Sequence, residues 1–247
     1  MKKIIFLSLL LTALSSNFVF CQTLQIVMDY YPPFSHKENN EIKGISTQVV
    51  NAALKEAGMK ASIKQYPFIR AYKMSQRNKD VFEYCVVKTK ERTPLFKWVG
   101  IVGPATQVLF ALKDRDIHIE KNEDLKGYRI GVVSEDVVDQ YLSARQDKLG
   151  IKLDNVASYE LNMKKLFKGR FDMWGGNKLV GLHLAKKLGY SKEAIKVVYT
   201  IDDLTDYYYL VTGLKTSDVL FQKMHAAFET IHSDGTYQGI IDKYLNY

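Results

Sequence analysis

The chain has 247 residues, with 35 Lys and Arg against 27 Asp and Glu, a formal net charge of +8. The lysines are interleaved with acids from end to end and form no basic block, which argues against nucleic-acid binding and leaves at most weak attraction to anionic solutes or membrane faces. The five histidines, His36, His118, His183, His225 and His232, share no two-histidine ligand spacing, so no metal site and no cofactor is expected.

Lys2 and Lys3 precede an apolar run from Ile4 to Leu14 and then Ser15, Ser16 and Asn17, the layout of a secretory signal peptide and too short for a spanning helix. Val19 and Cys21 suit the two specificity positions, so cleavage after Cys21 is expected, giving a leader of residues 1–21. Phe20 stands where a lipidated cysteine is normally preceded by a small residue, which argues against an anchor on Cys21. Loss of the two leader lysines lowers the charge from +8 to +6. Cys85 is then alone, no disulfide forms within the chain, and packing must supply the stability. About 226 residues suit one large domain or two lobes.

Leu24 to Met28 reads as a strand that ends in the turn Asp29-Tyr30-Tyr31-Pro32-Pro33-Phe34. A helix follows, capped by Ser46, with Val50, Ala53, Leu54 and Ala57 on one face and Gly58 at its end. Ala61–Gln65 predicts a second strand, Ile69–Arg77 a second helix and Val81–Val87 a third strand. This strand-helix alternation implies a parallel sheet with covering helices.

The pattern then repeats. Tyr128–Val133 predicts a strand, and Ser134 a cap for one helix carrying Val137, Val138, Tyr141, Leu142 and Leu149 before Gly150. Asn155–Ser158, a helix through Leu166 and Phe167, a strand around Phe171–Trp174, a helix over Lys178–Leu188 and a strand over Ile195–Thr200 complete a second α/β unit. Tyr207–Val211 is a further strand. It is followed by a helix with Leu220, Met224, Ala227, Phe228 and Ile231 on one face, the turn Ser233-Asp234-Gly235, and a last helix. This tail is expected to rejoin the first unit, so crossings near Pro104–Leu109 and Leu204–Tyr208 form a two-strand hinge. The lobes are then residues 22–104 with 204–247, and 105–203. Ligands of open α/β sheets sit beyond the carboxyl ends of the strands, which here face one another across a cleft.

Within this frame Arg92 occupies a turn, Lys88-Thr89-Lys90-Glu91-Arg92-Thr93-Pro94, between two apolar runs. A guanidinium held there by rigid flanks grips a carboxylate through two parallel bonds. Taken alone, the segment fits a surface arginine in a loop better, and the rest of the chain shifts that balance.

Five pieces stand in order behind the leader: Tyr31-Pro32-Pro33-Phe34 with Gly44-Ile45, Thr89-Lys90-Glu91-Arg92, Glu123-Asp124-Leu125-Lys126-Gly127, Lys168-Gly169-Arg170-Phe171-Asp172 and Asp234-Gly235-Thr236-Tyr237. In these the mature chain resembles a family 3 solute-binding protein, the two-lobed type II periplasmic binding fold that serves ABC importers of polar amino acids. The resemblance implies an α/β architecture of two lobes, each a mainly parallel sheet covered by helices. It also implies that Arg92 binds a ligand carboxylate and that Tyr31 lies over the ligand.

Other positions depart from the family pattern. Tyr84, Cys85 and Val87 stand where small hydroxyl residues are usual, and Tyr84 joins the candidate set. Glu135-Asp136-Val137 replaces a Gly-Thr-Thr helix start. Asn177 replaces the acid that pairs with the ligand's ammonium group; an asparagine cannot neutralise a buried ammonium, and Asp136 could compensate from the opposite helix. Arg70 either contacts an anionic ligand or pairs with an acid on the lobe surface. Trp174, with Gly175 and Gly176, sits at a strand end where an indole could meet a solute, the alternative being a core tryptophan. Tyr207, Tyr208 and Tyr209 are expected to pack around the hinge.

The sequence has no Gly-x-Ser-x-Gly elbow, no Cys-x-x-Cys and no phosphate loop, and Cys85 lies in an apolar strand where a thiol is inert. The expectation is a non-enzymatic, monomeric periplasmic receptor for a small polar, carboxylate-bearing solute, partnered by an ABC importer permease. Two alternatives remain. One is a dehydratase resembling cyclohexadienyl dehydratase on the same scaffold, with Arg92 as clamp and Asp136 or Glu135 as acid. The other is a ligand-sensing partner of a membrane sensor.

Overall fold

A computed structural model describes residues 23–245 of the chain. The leader and the cleavage site expected at Cys21 lie outside the described residues. The strands are β1 (Leu24–Met28), β2 (His36–Glu38), β3 (Glu41–Lys43), β4 (Ala61–Gln65), β5 (Val81–Val87), β6 (Phe96–Ala105), β7 (Gln107–Leu112), β8 (Arg129–Val133), β9 (Lys152–Val156), β10 (Met173–Asn177), β11 (Ile195–Thr200) and β12 (Asp206–Gly213). The helices are α1 (Ile45–Glu56), α2 (Phe68–Arg77), α3 (Val137–Ser143), α4 (Gln146–Leu149), α5 (Tyr159–Phe167), α6 (Lys178–Lys187), α7 (Asp218–Ser233) and α8 (Thr236–Leu245).

Two five-stranded sheets share one plan. The first runs β4-β1-β5-β12-β6 and the second β9-β8-β10-β7-β11. In each, the first three strands are parallel, the fourth is antiparallel to them, and the fifth pairs antiparallel with the fourth and so runs with the first three. The α/β architecture is the expected one, with four of the five strands in each sheet running the same way. The reversed strand of each sheet is the one by which the chain enters from the other sheet, β12 in the first and β7 in the second. β6 leads into β7 through Thr106 alone, and the chain returns between Thr200 and Asp206. At the crossing Ile201 donates its backbone N–H to the Gln107 carbonyl at 2.9 Å, so the two connections are tied together.

Period-two alternation places the helices of the first sheet. Leu24, Ile26 and Met28 point to the side of α1, where Val49, Val50 and Ala53 are buried, while Val27 points to Ala71 of α2 on the other face. Each such fully buried aliphatic side chain contributes about 2 kcal/mol over leaving it exposed, enough for packing to outweigh weak strand propensity. Phe68, Ala71, Tyr72 and Ser75 are the buried face of α2, at helical spacing.

Several local expectations shift. Helix α1 is not capped by Ser46. It starts at Ile45 because Gly44, at φ +126, lets the first-turn N–H groups of Ile45 and Ser46 reach the carbonyls of Pro33 and Phe34, each at 3.0 Å. Ser46 Oγ donates instead to the Val102 carbonyl. Asp136 rather than Ser134 caps α3. The helix expected to run to Leu149 breaks at Arg145, whose guanidinium lies 3.8 Å from the Tyr141 ring and donates to the Tyr141 carbonyl that a continuing helix would use. The segment Asn155–Ser158 falls at the end of the strand Lys152–Val156, and the strand expected around Phe171–Trp174 runs over Met173–Asn177. Among the described residues no helix is long and apolar enough to cross a membrane.

Candidate functional site

The carboxyl ends of β1, β5, β8 and β10 bring Asp29 and Tyr31, the Thr89–Thr93 turn, Asp136 and Asn177 to the facing edges of the two sheets. The turn is knit by its own bonds. Thr93 donates its N–H to the Thr89 carbonyl at 2.8 Å, and Arg92 donates its N–H to Thr89 Oγ1 at 3.2 Å. Arg92 leaves this frame almost fully buried, at 1 % exposure. Its guanidinium lies 5.1 Å from the Tyr72 ring and 5.8 Å from Phe68, so the α2 aromatics form one wall of its slot.

The polar partners of that guanidinium come from the other sheet. Nε donates to Gln140 Oε1 at 3.0 Å, and Nη2 donates to the Glu135 carbonyl at 3.2 Å. Glu135 adopts φ +64, a left-handed turn that presents this carbonyl to Arg92, steadied by Glu135 N–H donating to Asp139 Oδ2 at 2.8 Å. Both acceptors are neutral. Among the described residues Arg92 makes no ion pair within 4 Å.

Two carboxyl groups are buried in the same cleft from opposite sides. Burial, reinforced by the charge of Asp136, pushes Asp29 up to about 8 against the opposing pull of its own backbone N–H. Burial also raises Asp136, while Arg92 and the Val137 N–H pull it down. Oδ1 of Asp136 accepts from that N–H at 2.6 Å, and Oδ2 ends without a hydrogen-bond partner. Behind the α2 aromatics Glu83 is also buried, and its Oε2 sits 2.7 Å from Ser75 Oγ, which lies 3.0 Å from the Tyr72 carbonyl. Burial raises the Glu83 carboxyl well above the usual carboxylate range, against the opposing pull of the Ser75 hydroxyl that donates to it.

An aromatic cluster fills the space between the acids. The Tyr31 and Tyr159 rings meet across the cleft at 4.7 Å, and Tyr31 OH bonds Tyr208 OH at 2.7 Å. Gln107 Nε2 donates to the Tyr208 hydroxyl at 2.8 Å. A recess of about 250 Å³ opens at this edge, lined by Asp29, Tyr30 and Phe68 on one side and Ala157, Ser158 and Tyr159 on the other. A second recess of about 420 Å³ lies between Lys88–Glu91 and the outer half of α3.

The sequence candidates divide between the cleft and its surroundings. Arg92, Asp136 and Tyr31 converge in the cleft. Tyr84 is buried in the first sheet, its hydroxyl 2.9 Å from Thr47 Oγ1 on α1. Asn177 caps α6, and its Oδ1 accepts from Leu179 and Val180 N–H at 2.9 and 3.3 Å, which occupies both lone pairs. Trp174 is fully buried, stacked on Phe110 at 5.5 Å within its own sheet. Arg70 is exposed, its guanidinium 4.4 Å over the Tyr66 ring, beside Lys73 and Arg77 on the outer face of α2. Cys85 is a buried free thiol pushed upward by burial.

Sequence reasoning missed Asp29, Gln107, Gln140 and Tyr159, and assigned Tyr208 to hinge packing alone. The signal for Asp29 was an acid directly after an apolar strand, at its carboxyl end.

Residues 24–247 match the bacterial extracellular solute-binding proteins, family 3. The chain belongs to this family. It is 26% identical over 245 residues to an arginine-binding periplasmic protein of Mannheimia haemolytica, covering 96% of this chain and 97% of the relative. It is likewise 26% identical over 252 residues to the ABC transporter arginine-binding protein 1 of Escherichia coli (strain K12), covering 96% and 98%. Among solved structures, an ancestral arginine-binding protein bound to arginine superposes with a TM-score of 0.79 at 24% identity, covering 90% of this chain and 98% of that one. A histidine kinase sensor domain with similarity to periplasmic binding proteins gives 0.80 at 16% identity, covering 91% and 96%. At these identities the two structures establish the fold of this family 3 protein. The curated relatives are named as binding proteins.

Proposed function

We propose that the chain is an extracytoplasmic receptor that closes on a small polar solute bearing a carboxylate, an amino acid or a close relative, and delivers it to the permease of an ABC importer. On this reading residues 22–104 with 204–247 form one lobe and 105–203 the other. The leader 1–21 is removed, and the protein acts as a monomer.

The observation that carries the reading is the state of Arg92. The guanidinium, buried at the cleft, donates to an amide oxygen and a carbonyl, and among the described residues the acids that feel its charge, Asp136 and Glu83, stay beyond ion-pair distance. A carboxylate entering there replaces two neutral acceptors with a charge-assisted, two-bond contact, which is stronger than what it displaces. The buried acids Asp29 and Asp136 and the ring of Tyr31 supply acceptors and apolar cover for the rest of such a solute, and Gln140 is released to seal the far side.

The test is thermal unfolding of residues 22–247 against a panel of amino acids, small carboxylates, amines and sugars, with arogenate and prephenate included. A ligand at about a hundred times its Kd adds ~2.7 kcal/mol, a shift of several degrees at this size. Stabilisation by a carboxylate-bearing solute that is recovered unaltered supports the receptor. Consumption of arogenate or prephenate would move the assignment to a dehydratase, and silence across the panel would remove the reading.

A further inference from the structure

A buried acceptor, Gln107 Oε1, is left without a donor. Gln107 is fully enclosed, at 0% exposure, in the first position of β7, directly after the single residue that joins the sheets. Its amide is held on one side only, through the Nε2 bond to Tyr208 on the returning strand. A carbonyl oxygen withdrawn from water and given nothing in return is costly, and native proteins keep few of them.

The neighbours make the vacancy specific. Gln107 is the register partner of Asn177 across the β7–β10 pair, so the two amides stand side by side on one face of the sheet. The oxygen of Asn177 is already spent on two N–H groups of α6. The hydroxyls of Tyr208 and Tyr31 bond each other. The charge of Asp136 is felt by both tyrosines, which places its carboxyl beside the same network. What Gln107 Oε1 lacks is therefore a hydrogen-bond donor, whereas the Asp136 carboxyl is within the pull of the Tyr159 hydroxyl.

We propose that Gln107 is a specificity-determining residue of the cleft, its Oε1 receiving an N–H donor of the bound solute. The ligand then carries a nitrogen donor as well as the carboxylate that Arg92 takes, and the donor is read at the crossing strand and not by Asn177. The inference rests on the receptor reading above.

Calorimetric titration of residues 22–247 with L-arginine and with hexanoate, which keeps a carboxylate and lacks every N–H, tests it. L-Arginine is expected to bind at least about a hundredfold more tightly than hexanoate, because a buried acceptor left empty penalises the donor-free analogue. In Gln107→Leu the arginine-to-hexanoate selectivity falls by about tenfold, the loss of one buried hydrogen bond. In Gln107→Glu, which gives up the Nε2 donor to Tyr208 but retains the acceptor, the selectivity is kept or raised. Unchanged selectivity in Gln107→Leu overturns the inference, as does an equal loss in the Glu and Leu variants, which would assign the effect to the Tyr208 bond. Hexanoate binding as tightly as arginine, and lost in Arg92→Ala, overturns the inference while leaving the receptor reading standing. Binding of neither solute, with silence across the panel, removes both.

Discussion

Arg92 and Gln140 meet across the cleft, the guanidinium Nε of one donating to the amide oxygen of the other at 3.0 Å. The pair links the Thr89–Thr93 turn of one sheet to α3 of the other through a bond that is polar but uncharged. That neutrality matters for binding, since a carboxylate already supplied by the protein would satisfy the arginine and compete with a ligand. Gln140→Glu is therefore predicted to create an internal ion pair with Arg92 and to weaken ligand affinity by about tenfold or more. Isothermal titration of the variant with the best ligand of the panel checks this, and equal or tighter binding would contradict it.

His36 on β2 and His183 on α6 face one another, with ring centroids 6.4 Å apart. Burial lowers both imidazoles. Lys43 and Lys187 lower His36 further against the opposing pull of Glu38, and His36, Lys187 and Lys186 lower His183. This arrangement thus holds fewer protons than one in which the two rings are parted and return to about 6.5. Its stabilisation is complete above that value and is lost as the pH falls through the lowered values. Small-angle scattering is predicted to show expansion between about pH 7 and pH 5, and the double variant His36→Gln, His183→Gln to flatten the profile. An identical profile in the double variant would refute the assignment.

Asp29 carries the opposite dependence. With its pKa raised to about 8, the folded chain keeps a proton that the unfolded chain releases near 3.8. Its favourable contribution is present at low pH and declines as the pH rises from about 4 to about 8. Asp29→Asn, which mimics the neutral acid, is predicted to be more stable than the wild type at pH 8.5 and to show a shallower loss between pH 5 and 8.5 in urea unfolding. A variant that loses stability in parallel with the wild type would show that Asp29 is ionised in the folded state.

Gly44 fixes the entry to α1 and with it the Tyr31–Phe34 loop. At φ +126, a Cβ there would lie 2.2 Å from the Phe34 carbonyl oxygen, a backbone atom that cannot swing aside. Gly44→Ala is predicted to cost about 2 kcal/mol or more by urea unfolding and to weaken ligand binding through displacement of Tyr31. A change below about 0.5 kcal/mol would mean that the loop is free to move.

The strand-helix order was legible because period-two and helical spacings are local properties, whereas the short, sharply bounded turn around Arg92 by itself favoured a surface arginine, and only the family resemblance pointed to the cleft. Trp174 was misplaced through strand register: β10 runs to Asn177, so Trp174 is the second residue of the strand and faces Phe110, not the strand end. Three consecutive tyrosines tell that alternate side chains face alternate sides, and only Tyr208 is buried, at 1%, against 43% for Tyr207. Nothing in that spacing tells that Tyr208 meets Tyr31 and Gln107, from segments far apart in sequence. Gln140 and Tyr159 were illegible for the same reason, since their roles exist only when one sheet is set against the other.

The central claim is that Arg92 supplies the anion contact of a solute receptor. Isothermal titration of wild type and Arg92→Ala with the carboxylate ligand found in the panel tests it most directly, with circular dichroism confirming that the variant is folded. The account predicts at least about a hundredfold loss of affinity, the scale of a buried charge-assisted contact. Unchanged affinity in the folded variant would contradict it.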